Sequence, residues 1–335
     1  MALLTTLRLH PWASTWEGQP GASDEDEEDE RPYVDPAVEV PPQDWRPLRP
    51  PAAGEPPAFM FVDGVRRIDV GVVAQDGDRP AWGLFGSYGA GAVVCRPGRA
   101  QVVREHVCRS LVLATAGYAG EVNVPAGSVV LAYRVESVGE DKSQNDVRRE
   151  VQQRMRMLEA ELVASGDAPT QDAVVVVDGP ITFLPRDAGR RALVAGLIKT
   201  HHRYYLEGTP LAPWMTALAP GERTPIFVVR PKASPDDRFS WYVRLAEPPP
   251  FHHSLVGIVR LETWAQVGLE RARALADLTA AFLPRFAPPM AWDDRAPNNL
   301  YPVAALEQRL RHGLGDYQWV RRSIESFIYR LGGLS

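Results

Sequence analysis

Cysteine is scarce in this chain: Cys95 and Cys108 are the only two among 335 residues. Two thiols cannot build a disulfide scaffold or a four-thiolate zinc site. Both sit among Val and Leu neighbours, so each reads as a packed thiol. No uncharged apolar run approaches about 18 residues, which argues against a membrane-spanning helix. Met1 to Gln19 holds one short apolar piece followed by Arg8, His10 and Glu17, which is not the layout of a secretory leader. A cytoplasmic protein is the expectation. A phosphate loop is missing too. Gly86-Ser87-Tyr88-Gly89-Ala90-Gly91 has the glycines but no Gly-Lys-Ser/Thr, and it opens no obvious helix. It reads as a tight bend or bulge within a β-meander.

Charge is present but uneven. The net charge is −5, yet Asp24 to Glu30 are seven consecutive acids, and without them the chain carries +2. A polyanionic partner is therefore compatible with the remainder. Residues 1–57 are read as an N-terminal arm, Pro-rich and acidic from residue 11, with too few apolar clusters to offset chain entropy and hence mostly disordered. Residues 58–335 are read as one domain.

Within that domain, Phe59–Asp63, Arg66–Ala74 and Ala81–Cys95 have the composition of strands. Residues 144–164 form the clearest helix, with Val147, Val151, Met155, Leu158 and Leu162 along one stripe and Glu159 at its border. Asp187 to Thr200 reads as a further helix. Pro225–Arg230, Phe239–Leu245 and Leu255–Leu261 look β-like. Residues 265–283 and Val303 to Leu331 look helical, the latter interrupted near Gly313 and Gly315.

Two of these segments carry the chemistry. Phe59-Met60-Phe61-Val62-Asp63-Gly64 and Val174-Val175-Val176-Val177-Asp178-Gly179 are apolar runs that each end in Asp-Gly. Either one alone is also what an ordinary turn looks like, but a carboxylate at the end of a buried strand is costly to desolvate without compensation. Glu159 stands nineteen residues before Asp178. Strands, then a helix, then a strand ending in an acid is the order of an α/β, RNase H-like mixed sheet flanked by helices. In that order Asp63, Glu159 and Asp178 become oxygen ligands for Mn²⁺ or Mg²⁺, as two ions that activate water and stabilise a leaving oxygen. Asp69 is a backup acid. Arg66 and Arg67 alternate with Ile68 and Val70, so one of them should face the exposed or DNA-facing side. Lys199, Arg203 and the His201-His202 pair follow the second acid closely and could bind a phosphate backbone. As a bland alternative they are an exposed helix end. Tyr204 and Tyr205 could stack on unpaired bases or pack in the core.

The chain resembles the NurA nucleases, found beside the HerA ATPase in archaea and many bacteria. The resemblance rests on Phe61-Val62-Asp63-Gly64, Leu158-Glu159, Val177-Asp178-Gly179-Pro180, Gly196-Leu197-Ile198-Lys199-Thr200, Ile258-Val259-Arg260-Leu261-Glu262, and Tyr301-Pro302 followed by Leu306, in family order. It implies a Mn²⁺-dependent nuclease with 5′-to-3′ exonuclease and single-strand endonuclease action on DNA. It also implies a homodimer that docks on a hexameric HerA-type translocase and resects DNA ends. Asp63, Glu159 and Asp178 inherit the metal-ligand role, and Lys199 the role of the family's lysine. The chain departs from the family in two places. Val65 stands where the family has Ser, and Gln308-Arg309-Leu310 occupies the region of the family's Ala-His pair. His312 or Asp316 is the expected fourth ligand. The competing functions are a NurA-fold adaptor that binds an ATPase or DNA without cutting, and an unrelated α/β enzyme acting on a phosphorylated small molecule.

Overall fold

Parallel and antiparallel pairing meet in the middle of one large sheet, and that junction positions everything functional. The structure is a computed structural model. It describes residues 6–10, 32–51, 54–76, 78–165, 173–199, 205–232, 236–248, 250, 252–289 and 297–332. Its strands are β1 (Arg8–Leu9), β2 (Tyr33–Asp35), β3 (Ala58–Asp76), β4 (Arg79–Arg96), β5 (Arg99–Leu113), β6 (Gly120–Ala126), β7 (Val129–Ser137), β8 (Ala173–Asp178), β9 (Leu193–Ile198), β10 (Phe227–Arg230), β11 (Arg238–Arg244) and β12 (Ile258–Trp264). Its helices are α1 (Gln144–Ala164), α2 (Ala188–Arg191), α3 (Ala212–Thr216), α4 (Leu269–Phe282), α5 (Tyr301–Gly313) and α6 (Tyr317–Gly332).

Among the described residues the sheet runs β2-β10-β11-β12-β9-β8-β3-β4-β5-β7-β6, with β1 pairing off β3. Strands β3, β4 and β5 are an antiparallel meander, whereas β8 lies parallel to β3, and β9 parallel to β8. Meander, helix, then two parallel strands against the first strand is the RNase H-like core that the segment order predicts. Parallel strands covered on both faces become continuous apolar runs, and Val174 to Val177 are all buried.

The sheet's two faces are covered by different helices. Residues of one parity on β3, such as Phe59, Phe61 and Val65, pack with Ala272, Leu275 and Ala276 of α4 and with Val303, Leu306 and Leu310 of α5. Further along, Val70 and Val72 meet Val320, Ile324 and Ile328 of α6. The opposite face is covered by α1. Val147, Val151 and Met155 pack on Ile68, Leu84 and Tyr88, and Leu162 packs near Met60 and Val62. Ser143 starts α1 with a capping box. Its Oγ accepts the Asp146 N–H at 3.2 Å, and the Asp146 carboxylate accepts the Ser143 N–H at 2.9 Å. Each Val, Leu or Phe sealed this way contributes about 1.5–3 kcal/mol.

Three expectations are revised. The stretch expected to be a helix from Asp187 to Thr200 is not one continuous helix over its described residues, 187–199. Only α2 is helical there, and Leu193–Ile198 is strand β9, because a buried parallel strand and a short buried helix are alike as apolar runs. The glycine-rich stretch from Gly86 to Gly91 is neither bend nor phosphate loop. It lies inside β4, while the irregularity falls on β3 opposite it, where Ile68 pairs with Gly86 and Val70 with Phe85, leaving Asp69 as the extra residue of a bulge. Residues 32–51 of the expected arm are packed rather than disordered. Strand β2 pairs with β10, Trp45 is buried, and the buried Glu39 accepts from both Arg223 and Arg273. The acidic run lies outside the described residues. Cys95 is buried and Cys108 half-buried, and burial pushes the Cys95 thiol up to about 11.

Candidate active site

Strand register brings the first two acids together. Val62 of β3 pairs in parallel with Val177 of β8, so Asp63 and Asp178 follow at neighbouring positions. Beyond them β8 ends while β3 continues beside β4. Asp63 is 6% exposed. Burial raises its carboxyl well above the usual range, and the charge of Asp178 adds to the rise. Lys199 opposes it, and Glu159 and Glu307 reinforce it. Two carboxylates in so little water cannot both ionise cheaply.

Glu159 arrives from the other face. Its place is inside the buried stripe of α1, not at the border. It reaches the strand end by crossing Gly64: a Cβ at that position would stand 2.7 Å from Glu159 Oε1 and 2.7 Å from Met155 Cγ. Arg156, one turn earlier on α1, donates to Glu159 Oε2 at 2.8 Å and to the Asp178 carbonyl at 2.7 Å. Glu159 Oε1 is buried and has no hydrogen-bond partner. Burial raises the Glu159 carboxyl, Arg156 offsets part of that, and Asp178 adds to it.

Lys199 follows β9 directly. Its ammonium donates to Asp178 Oδ2 at 2.7 Å and to Asn299 Oδ1 at 2.8 Å. The Asn298 side chain donates to the Lys199 carbonyl at 3.1 Å, so the loop before α5 fixes the lysine from both ends. Behind Asp178, Gly179 adopts φ 109°, a conformation that favours glycine. The turn it begins is held by Glu262, which accepts the Ile181 N–H at 3.2 Å and pairs with Arg238 at 3.3 Å and Arg260 at 2.7 Å.

The structure thus gathers Asp63, Glu159, Asp178 and Lys199, and it separates several other expected residues from them. Arg67 pairs with Asp69 at 2.7 Å and donates to the carbonyls of Gly315 at 2.7 Å and Leu314 at 3.2 Å, so it ties down the junction of α5 and α6 rather than a DNA face. Arg66 points to α1, donating to Gln152. Asp69 lies under Arg67, Ser87 and Tyr133 and is structural. Asp316 is exposed and caps α6, accepting the Trp319 N–H at 2.8 Å. His312 is exposed at the end of α5. His201, Arg203 and Tyr204 lie outside the described residues.

Sequence reasoning missed Arg156, Asn299 and Glu307. Arg156 stands three residues from Glu159, a spacing that puts two helix residues on one face. Glu307 directly follows Leu306, a residue already quoted. Both signals were visible without any structure.

As placed, no three His, Cys, Asp or Glu side chains among the described residues form a group that encloses a metal ion. In this arrangement Arg156 holds one oxygen of Glu159 and Lys199 one oxygen of Asp178. The donor chemistry nevertheless fits a hard divalent ion: carboxylates from three elements, one with a buried oxygen that nothing satisfies. No helix among the described residues is long and apolar enough to cross a membrane.

The NurA domain family model matches residues 74–308, a span that begins after Asp63 and contains Glu159, Asp178, Lys199 and Glu307. No curated protein matches the chain. Among solved structures, the NurA nuclease from Sulfolobus solfataricus is similar at 11% identity, with a TM-score of 0.47, over 85% of this chain and 88% of that one. The catalytic domain of human endonuclease V is similar at 15% identity, with a TM-score of 0.32, over 77% and 84% respectively.

Proposed function

The chain belongs to the NurA domain family, whose model spans residues 74–308, and from this premise we propose that it is a metal-dependent deoxyribonuclease acting on DNA ends and single strands. The observation that carries the reading is the meeting of Asp63, Glu159, Asp178 and Lys199 at the end of the parallel strands, with Glu159 Oε1 buried and unsatisfied. Asp63, Glu159 and Asp178 would hold Mn²⁺ or Mg²⁺. When bound, such an ion supplies Lewis-acid and water-activating chemistry for phosphodiester hydrolysis. Lys199 keeps a positive charge beside Asp178 that can stabilise charge developing on a phosphate. Asn299 keeps that ammonium in place. Glu262 and Gly179 set the turn that aims Asp178. Arg156 offsets the charge of Glu159, a task that a bound ion would share.

The family resemblance extends the proposal to 5′-to-3′ exonuclease and single-strand endonuclease action, a homodimer, and a HerA-type hexameric translocase as partner in end resection. One observation favours a second function, a NurA-fold adaptor that binds without cutting: two of the three acids already have cation partners. End-labelled duplex and single-stranded DNA incubated with Mn²⁺ separates the two. We expect the parent to cut and Asp178→Ala to lose at least about 10³-fold in rate. Undiminished cutting by Asp178→Ala would remove the metal-site assignment. No cutting by the parent, alone or with a HerA-type ATPase, would leave the adaptor.

A further inference from the structure

The glycines that follow the two strand acids each admit a different charged group from α1. A Cβ on Gly64 would stand 2.7 Å from Glu159 Oε1, and a Cβ on Gly179 would stand 2.7 Å from Arg156 Nη2. The approach of α1 and of Lys199 leaves the acids half occupied. Asp63 Oδ1 accepts the Gly64 N–H at 2.8 Å, Glu159 Oε2 accepts from Arg156 at 2.8 Å, and Asp178 Oδ2 accepts from Lys199 at 2.7 Å. Each carboxylate therefore has one oxygen engaged and one open. Glu159 Oε1 is buried without a partner, and no hydrogen bond from the described residues reaches Asp63 Oδ2 or Asp178 Oδ1. Arg156 is built into the site. Only 17% of its side chain is exposed, and it also donates to the Asp178 carbonyl at 2.7 Å.

From this arrangement we propose that the site holds one divalent cation on the three open oxygens, and that the Arg156 guanidinium stands in for a second ion. The inference rests on the metal-site reading above and deepens it, with one ion in place of the two that segment order predicts. The balance of charge favours one. A carboxylate must be deprotonated to ligate a cation, so the loaded site counts three negative charges. Arg156 and Lys199 already offset two of them. Glu307 pairs with Arg311 at 2.7 Å, which leaves the count unchanged. One divalent ion turns the remainder into a single positive charge, which one phosphodiester cancels. A second ion would add two uncompensated charges where Asp63 is 6% and Glu159 1% exposed, and unpaired charge is costly to bury. Unlike an ion, the guanidinium is covalently fixed and keeps its charge at every working pH.

The test counts Mn²⁺ bound by the full chain, by calorimetry and by the Mn²⁺ paramagnetic resonance signal, taking as site ions those lost in Asp178→Ala. We expect one site ion per chain in the parent, with no signal from coupled Mn²⁺ pairs. Arg156→Met removes the charge and frees Glu159 Oε2, so it should bind two ions and show the coupled-pair signal. Its metal-free melting temperature should fall, because Glu159 stays buried without its cation, and Mn²⁺ should raise it by more than in the parent. Arg156→Gln keeps a donor without the charge, should also bind two ions, and serves if the methionine form does not fold. Arg156→Lys keeps a cation and should stay at one. Two site ions in the parent would overturn the proposal while leaving the metal site standing. One ion in the parent and in both neutral variants would also overturn it, making Arg156 only a structural partner of Glu159. If the parent binds no Mn²⁺ that Asp178→Ala loses, the metal site and this inference fall together.

Discussion

At the scale of single residues, the site depends on how few alternatives each position allows. Lys199 has two partners, Asp178 and Asn299, and both orient one ammonium. We expect Lys199→Met to lower kcat by about 10²-fold, with KM and melting temperature close to those of the parent, because a lost charge stabiliser acts on the transition state. Lys199→Arg should recover part of the rate. A kcat unchanged in Lys199→Met would make the lysine a structural clamp. Gly64 is constrained by space: Glu159 Oε1 and Met155 Cγ both lie 2.7 Å from where a Cβ would stand. Gly64→Ala should cost about 1–3 kcal/mol by overpacking and should displace Glu159, so thermal unfolding and Mn²⁺ affinity should move together. Glu159 itself was legible as a helix acid near Asp178, but its burial was not. Hydrophobic periodicity marks a stripe from its apolar members and cannot say that an acid is among them.

Secondary-structure elements were legible in proportion to how distinctive their period is. The stripe of α1 and the Val run of β8 declared themselves. Leu193–Ile198 did not, since six apolar residues after a short helical turn carry no period that separates strand from helix. Strand β2 and Trp45 were hidden by proline-rich, acidic surroundings, because what anchors them is a distant pair. Glu39 accepts from Arg223 at 2.8 Å and from Arg273 at 2.9 Å, and Arg223 also donates to Asp277 at 2.7 Å. Burial raises the Glu39 carboxyl, and the hydrogen bond and charge of Arg223 outweigh it, leaving it lowered. A lowered folded pKa means that the unfolded chain binds the extra proton below about pH 4.3. Stability from this pair is therefore full above that value and is lost as pH falls through the folded pKa. Denaturant unfolding from about pH 6 to about pH 3 should show that acid limb, flattened in Glu39→Gln. Glu39→Ala should cost about 3–5 kcal/mol at neutral pH, since it leaves Arg223 buried with half its partners gone. An unchanged midpoint would mean that the segment is a passenger on the sheet.

At the scale of the whole molecule, one sheet edge is built from residues far apart in sequence, and this is what made the architecture partly unreadable. The meander and the parallel pair follow from segment order, but the return of β2 onto β10 and the descent of α5 onto Gly91 depend on tertiary fit. Deleting residues 1–50 removes β1, β2 and the Glu39 anchor together, so it should lower the melting temperature. Replacing Asp24 to Glu30 with Gly and Ser should tighten DNA binding at low salt, because it removes seven like charges. The central claim is that the carboxylates at the end of β3 and β8 make a metal-dependent DNA-cutting site. Cleavage of end-labelled single-stranded DNA in Mn²⁺, measured for the parent and Asp63→Asn at matched melting temperature, tests it most directly. We expect the parent to cut, chelation to stop it, and Asp63→Asn to lose at least about 10³-fold in rate. Cutting that survives chelation, or an Asp63→Asn variant that cuts at the parental rate, would contradict it.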